Sequence, residues 1–300
     1  MSGGGGSPDI YFAKGGPEDP RTPPGGGSRS PRILGGDRSA RNVWIAVAST
    51  ILFFGVVAVV VVRSPGWPEI KQQFFNGQEF AVSFPLILRK FTRNIFIFCV
   101  AEVLVLTLAL VLAVLRSLPG PVFTPLRIFS ATYTDLFRGV PTILVIVMLG
   151  FGAPALNLQG VPTSSFFWAI IALTLVYSAY VAEVYRAGIQ SVHPSQVAAA
   201  RSLGFSRWQS MRYVVLPQAI RRVIPPLLND FIGLQKDSAL VALIGPIEAF
   251  RQSQIDVAAT FNYTPYLCTA LLFVLLTIPM ARLTDWVVAR DRRRQSAGAR

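Results

Sequence analysis

Glu102, Glu183, Arg138, Asn229 and Asp230 stand inside, or at the ends of, otherwise apolar runs of this chain. An ionisable group is costly in an apolar surround, and where one is kept it faces protein or water and handles protons, ions or polar solutes. Glu102 and Glu183 therefore fit a proton relay, a buried pair or an interfacial end, and Glu183 has Arg186 three positions on. Arg138 can pair with Asp135, and Asp230 with Lys236 or an arginine of another helix. Ser238 and Lys236 are a formal nucleophile and base, but they lie only two positions apart with no oxyanion partner in view, so a membrane-bound enzyme is disfavoured. The single histidine, His193, and the two cysteines, Cys99 and Cys268, are too few for a metal site or a disulfide framework, and the thiols read as packing residues. None of the lysines follows a glycine, which removes the phosphate-cradling pattern G-x-x-x-x-G-K-[ST], so the chain does not hydrolyse ATP alone and no cofactor is expected.

The elements that must position these residues are membrane helices. Of 300 residues, 52% are apolar and only 14% charged, against about a quarter charged in soluble domains. The +13 net charge would suggest nucleic acid on a polar chain; here the surplus flanks apolar runs, and no nucleic-acid partner is expected. Residues 1–40 hold eleven Gly, six Pro and five Ser, a composition that cannot offset chain entropy by burial, so 1–42 are expected to be a disordered tail. Residues 43–62 carry no charge and match the roughly 20 residues needed to cross hydrocarbon. Further crossings are expected at 95–115, at 129–151, at 166–184, at 214–234 and at 266–288. The fifth of these six contains Pro217, Pro225, Pro226, Arg221, Arg222, Asn229 and Asp230, so it must face protein or water along much of its length. Pro225 and Pro226 are expected to interrupt its hydrogen-bond ladder one turn before Asn229 and Asp230. Trp44, Phe166, Phe167 and Trp168 read as interface anchors.

The excess of arginine before residue 43, over 184–228 and after 288 places both termini in the cytoplasm. Residues 63–94, then outside, conflict with that rule through Arg63, Lys71, Arg89, Lys90 and Arg93, unless some lie at the interface or pair with Glu69 and Glu79. Between the fourth and fifth crossings, residues 190–216 read as two short helices joined at a glycine. Pro194 suits a first helical position and Gly204 a C′ position, and Ser206 with Gln209 makes a capping box. The product is a compact, rigid protrusion with a small-residue face at Ala198, Ala199 and Ala200.

Five linked strings then become recognisable: 179–189 (AYVAEVYRAGI), 196–204, Leu216-Pro217-Gln218-Ala219 with Pro225-Pro226-Leu227, Phe137-Arg138-Gly139-Val140-Pro141, and Lys236-Asp237-Ser238-Ala239-Leu240. Together they resemble the permease subunits of ATP-binding-cassette importers for polar amino acids, over about residues 95–291. Two departures stand out. The family signature begins E-A-A where this chain has Ala198-Ala199-Ala200, and the Thr of the family's F-R-G-T-P string is Val140.

The resemblance implies an all-α integral membrane protein with six transmembrane helices, one extra N-terminal span and a five-span permease core, plus a cytoplasmic coupling helix. Its organisation would be a tail over 1–42, an extra span and loop over 43–94, a permease domain over 95–290 and a basic tail over 291–300. The coupling helix would present Ser195, Gln196, Ala198, Ala199, Ala200, Leu203 and Gly204 to a separate ATPase subunit. In a substrate pathway, Arg138 would hold a carboxylate and Asn229 with Asp230 an ammonium, with Thr142 and Lys236 completing the set. The implied partners are that ATPase, an extracytoplasmic amino-acid-binding protein and a second permease subunit, identical or similar, in a bacterial plasma membrane. The expected cargo is a polar amino acid, glutamate, glutamine or another of that kind. A proton-coupled secondary transporter is the competing reading, drawn from Glu102 and Glu183, although six spans without a visible inverted repeat are few for one.

Overall fold

The computed structural model describes residues 36–157 and 159–297, with side chains from 41 to 290; most of the Gly/Pro/Ser-rich tail lies outside the described residues, as do the side chains of 291–300. Among the described residues the chain is helical and contains no strand. It divides into two units, one ending at Ser64 and one beginning at Pro65.

The first unit holds α1, Gly36–Val62. The helix begins seven residues before the expected start at Val43, and its described side chains are all exposed although most are apolar. At 1.5 Å per residue it spans about 40 Å, more than the hydrocarbon core.

The second unit opens with α2, Trp67–Phe74, and then α3, Gly77–Ser117, a single helix of 41 residues. This corrects the expected loop over 63–94: Arg89, Lys90 and Arg93 lie on helix, because charges end a hydropathy window without ending a helix. Asn76 starts α3 by accepting from the amides of Gln78 (3.0 Å) and Glu79 (3.2 Å). Its buried stripe runs Ile87, Phe91, Asn94, Phe98, Ala101, Val105, Ala109 and Leu112, steps of three and four that keep one face inward. Cys99 falls on the exposed side of that helix, so only Cys268 is the packing residue expected of both. Glu69 and Glu79 are not the partners of the nearby cations. Among the described residues the ion pairs are Glu183 with Arg116 and with Arg186.

After α3 come α4, Thr124–Gly139, then α5, Thr142–Val147, a π-helical turn over Met148–Gly152, and α6, Ala153–Ala155. The pair bends by 102° between α4 and α5. The cause is local: a residue before proline avoids the helical region, and Val140, ahead of Pro141, is extended at φ −94°, ψ 132°. The stretch expected as the third crossing is therefore a bent pair of helices rather than one straight helix. Next are α7, Ser165–Gln190; α8, Pro194–Ser202; α9, Arg207–Ser210; a second π turn, Met211–Val215; and α10, Leu216–Asp237. The helix α10 runs on through Pro225 and Pro226, and the ladder is interrupted there as expected, since each proline leaves a carbonyl one turn back without its helical donor. A 3₁₀ turn, Leu240–Ile244, leads to α11, Ala249–Thr260, and α12, Thr264–Ala297.

Two clusters hold this unit together. The larger joins α3 and α7 with α5 and the end of α10 through Ile97, Val105, Ile146, Leu173, Val176 and Leu234. The smaller joins α3, α11 and α12 through Ile87, Phe91, Ala249, Cys268 and Leu272. Helices α7 and α10 meet backbone to backbone at Gly188, where an added Cβ would lie 2.1 Å from Val223 Cγ1 and 3.3 Å from the carbonyl of Ala219. Gly188→Val should therefore overpack the crossing by about 1–3 kcal/mol, read as a lower unfolding temperature of the purified chain. An unchanged melt would mean that the two helices are free to part there. Among the described residues four stretches are long and apolar enough to cross a membrane, α1, α2–α3, α7 and α12, or five if the bent pair makes one span; α10 is not among them.

Candidate functional site: a rigid protrusion and a polar strip along α7

The protrusion forms as its residue spacing predicts. His193 precedes Pro194 and accepts the Ser195 amide on Nδ1 at 3.2 Å, capping α8. At its other end, Gly204 takes φ +85°, its amide bonds to the carbonyl of Arg201 at 3.0 Å, and the Phe205 amide reaches the carbonyl of Ala200 at 3.1 Å. That pair of bonds is the Schellman closure, open chiefly to glycine because of the positive φ. One residue later the capping box is complete: the Gln209 amide bonds to Ser206 Oγ at 3.1 Å, and the Ser206 amide bonds to Gln209 Oε1 at 2.7 Å. The turn between α8 and α9 thus has few free backbone groups and little room to flex.

The base of the protrusion is tied to α10 by two side chains. Gln218 Nε2 donates to Gln196 Oε1 at 2.6 Å, and Arg222 donates to the carbonyl of Ser191. Gln196 is consequently a tie rather than a free contact. The expected alanine face also needs correction. Ala198 and Ala199 are exposed, but Ala200 is only 5% exposed and packs inward; consecutive helical residues sit about 100° apart, so three in a row cannot share a face. Ser195 and Gly204 are exposed as well, and Leu203 is 79% and Trp208 69% exposed, leaving an apolar tip that no part of the described chain covers.

The pathway candidates do not converge on one point. Arg138, at the exposed end of α4, makes no ion pair with Asp135; its guanidinium lies 5.9 Å from the centre of the Tyr180 ring on α7. Thr142 is half-buried at the start of α5, just past the bend. Asn229 is exposed and lines a cavity of about 460 Å³ with Thr284 and Asp285 of α12. Asp230, one residue on, turns to another side: it is within electrostatic range of Glu102 on α3 and Tyr177 on α7, and its Oδ2 is buried without a hydrogen-bond partner. Asn229 and Asp230 therefore do not face one ammonium together, for the same 100° reason. Nor does Lys236 pair with Asp230. It lines an apolar groove of about 550 Å³ between the end of α10 and the face of α12.

What the fold does assemble is a polar strip along α7. Tyr177 donates to Asp237 Oδ2 at 2.9 Å, Tyr177 and Tyr180 have ring centres 6.2 Å apart, and Arg138 caps the Tyr180 face. Further down, Glu183 is held by Arg186 and by Arg116, the latter at 3.3 Å, so the pairing expected for this carboxylate is formed. Above the strip lies a fully buried knot. Asn94 Nδ2 donates to Glu248 Oε2 at 2.7 Å, and the Ala249 amide donates to Asn94 Oδ1 at 3.1 Å. Ser238 does not act as a nucleophile in this setting: its hydroxyl, wholly buried, donates to the carbonyl of Gln235 at 2.7 Å. Tyr177, Asn94 and Glu248 were not among the expected residues. A carboxylate just after Gly245-Pro246 and before a helical stretch was the available sign of an N-cap.

The family model described as binding-protein-dependent transport system inner membrane component matches residues 106–293. Similar curated proteins include the probable amino-acid permease protein YxeN of Bacillus subtilis (strain 168), 34% identical over 209 residues that make up 69% of this chain and 92% of that protein. Another is the probable glutamine ABC transporter permease protein GlnM of the same organism, 37% identical over 161 residues, 53% of this chain and 73% of that one. Among solved structures, a chain in the crystal structure of an amino acid ABC transporter with histidines superposes with a TM-score of 0.63 at 31% identity, covering 70% of this chain and 94% of its own. The likeness carried by the five sequence strings and the likeness carried by the fold agree, and this chain belongs to the family of binding-protein-dependent transport system inner membrane components.

Proposed function

We propose that the chain is the membrane-spanning permease subunit of an ATP-binding-cassette importer for a polar amino acid, with glutamate or glutamine as the favoured cargo. In this reading an extracytoplasmic binding protein delivers the cargo, a separate ATPase drives the step, and a second permease subunit, identical or similar, completes the pathway. The six crossings are α1, α3, the bent α4–α6, α7, α10 and α12, with α10 turned toward protein and water, and both termini lie in the cytoplasm of a bacterial cell.

The observation that carries the reading is the closed turn between α8 and α9 together with its ties to α10. A stiff body joined at its base to two membrane helices transmits a rigid displacement where a loose loop would absorb it. Its exposed tip, with Ser195, Ala198, Ala199, Leu203 and Gly204, is what a cleft in the ATPase would grip. The absent acidic residue at Ala198 leaves that contact to shape and apolar area. Along the pathway, Arg138 at the end of the α7 strip is the group for the cargo carboxylate, and Asp230 or Asn229, on their separate faces, is the group for the ammonium.

Labelled amino-acid uptake into vesicles containing the chain with its natural partners tests this. ATP inside the vesicles is expected to drive uptake and a proton gradient alone is not; the reverse result would assign the protein to the proton-coupled carriers. In the same vesicles Arg138→Ala and Asn229→Ala are each expected to raise the apparent KM about tenfold or more, the loss of one charge-assisted bond. An unchanged KM removes that residue from the cargo site.

A further inference from the structure

Beneath the protrusion lies a cavity of about 420 Å³ that the transport reading leaves unused. Its walls come from three elements: Ile189 and Val192 at the end of α7, Val197 on α8, and Met211 and Val215 on the π turn. Arg201 and Arg207 also line it, and Arg201 is steadied by donating to the carbonyl of Phe205 at 3.1 Å. Inside stands Ser210, 2% exposed, whose hydroxyl has no hydrogen-bond partner. A buried hydroxyl without a partner is destabilising and is a sign of a missing polar group.

We infer that this cavity binds a single-chain anionic amphiphile, an acyl tail ending in a carboxylate. The volume is in the range of about 300–1,000 Å³ usual for small-ligand sites. The aliphatic walls take the tail, the two guanidinium groups take the carboxylate, and Ser210 supplies one further bond. Charge selects the class. Residues 187–229 contain five arginines and no Asp or Glu, and among the described residues neither Arg201 nor Arg207 forms an ion pair, so no local carboxylate competes for these two, and none is present to hold the ammonium of an amino acid. Because the walls belong to α7, α8 and the root of α10, an occupant wedges the protrusion at one tilt. The consequence for transport rests on the coupling role proposed above, but binding does not.

The test uses the chain assembled with its partners in nanodiscs of zwitterionic lipid, exposed to dodecanoate bearing a photoreactive diazirine in its tail, with labelled peptides mapped after illumination. Label is expected on the cavity walls, displaced by dodecanoate but neither by dodecanol nor by inorganic phosphate. Arg201→Gln with Arg207→Gln is expected to lower cavity labelling about tenfold, and Met211→Trp to abolish it by filling the space. Ser210→Ala should lower labelling several-fold while leaving the melting temperature unchanged or raised, which a purely structural hydroxyl would not do. Equal displacement by dodecanol, displacement by phosphate alone, or labelling indifferent to the Ser210 and arginine variants would each overturn the inference.

Discussion

Gly204→Val is expected to leave the chain folded and inserted while ATP-driven uptake falls at least tenfold and ATP hydrolysis by the assembled complex continues. The cause is the backbone. A Cβ at Gly204 would meet no atom within 4 Å, so no clash arises, but φ is +85°, a region closed to β-branched residues. Valine there costs about 1–3 kcal/mol. The chain escapes that strain by unwinding the turn, releasing the Gly204–Arg201 and Phe205–Ala200 bonds that set the angle between α8 and α9. The protrusion stays attached through Gln196–Gln218 and Arg222–Ser191, so assembly survives while stiffness is lost. Gly204→Asn is the control, since asparagine tolerates positive φ and should keep most of the uptake. Measuring hydrolysis and uptake in the same vesicles separates uncoupling from failure to assemble. Full uptake by the valine variant would mean that the rigidity of this turn is not what moves the membrane helices.

The contrast between this turn and the rest of the site explains what could be read from residues in order. Every bond that shapes the turn joins residues no more than five apart, so Pro194, Gly204, Ser206 and Gln209 announce it by type and spacing. Apolar runs likewise announce α1, α7 and α12, because hydrocarbon imposes one solvent on every residue of a run. Hydropathy stops being informative where a helix continues through charge, as α3 does at Arg89 and Lys90, and where polar groups interrupt the apolar residues of a helix, as they do in α10 at Asn229 and Asp230. The run 129–151 was read as one crossing and the bend at Val140 was missed; Pro141 is its local cause, while packing sets the 102° angle. Asn229 and Asp230 were read as one site from adjacency along the chain, which on a helix is a reason for two residues to point apart. The Asn94–Glu248 knot joins residues 154 positions apart and left no local mark beyond a carboxylate ahead of a helix.

That knot supports the second large effect, a loss of stability on Glu248→Ala. Glu248 is fully buried, and its two oxygens accept from the amides of Phe250 (2.9 Å) and Arg251 (2.8 Å) and from Asn94 Nδ2 (2.7 Å). Asn94 in turn accepts from the Ala249 amide and lies 3.3 Å from both the carbonyl and the hydroxyl of Ser238. One carboxylate thus joins α3, the end of α10 and the start of α11 at a place water does not reach. Alanine leaves two helix-start amides without acceptors, each worth about 1–3 kcal/mol when buried, and leaves the Asn94 amide only its 3.3 Å contacts with Ser238. With partial relaxation the total is on the order of 3 kcal/mol or more. Glu248→Gln keeps one acceptor oxygen but turns an NH₂ toward a neighbouring donor, so its cost should fall between wild type and alanine. Thermal unfolding of the purified chain in neutral detergent is expected to rank the three in that order, and Asn94→Leu should match the alanine variant, because it leaves the Ala249 amide and one carboxylate lone pair unmet. If Glu248→Ala and Asn94→Leu together cost as much as their separate losses added, the two residues act independently and the knot is not the unit that fixes α3 against α11. A combined cost well below that sum marks them as one network, and then the register of α10 against α3, with Asp237 bonded to Tyr177, depends on one buried carboxylate.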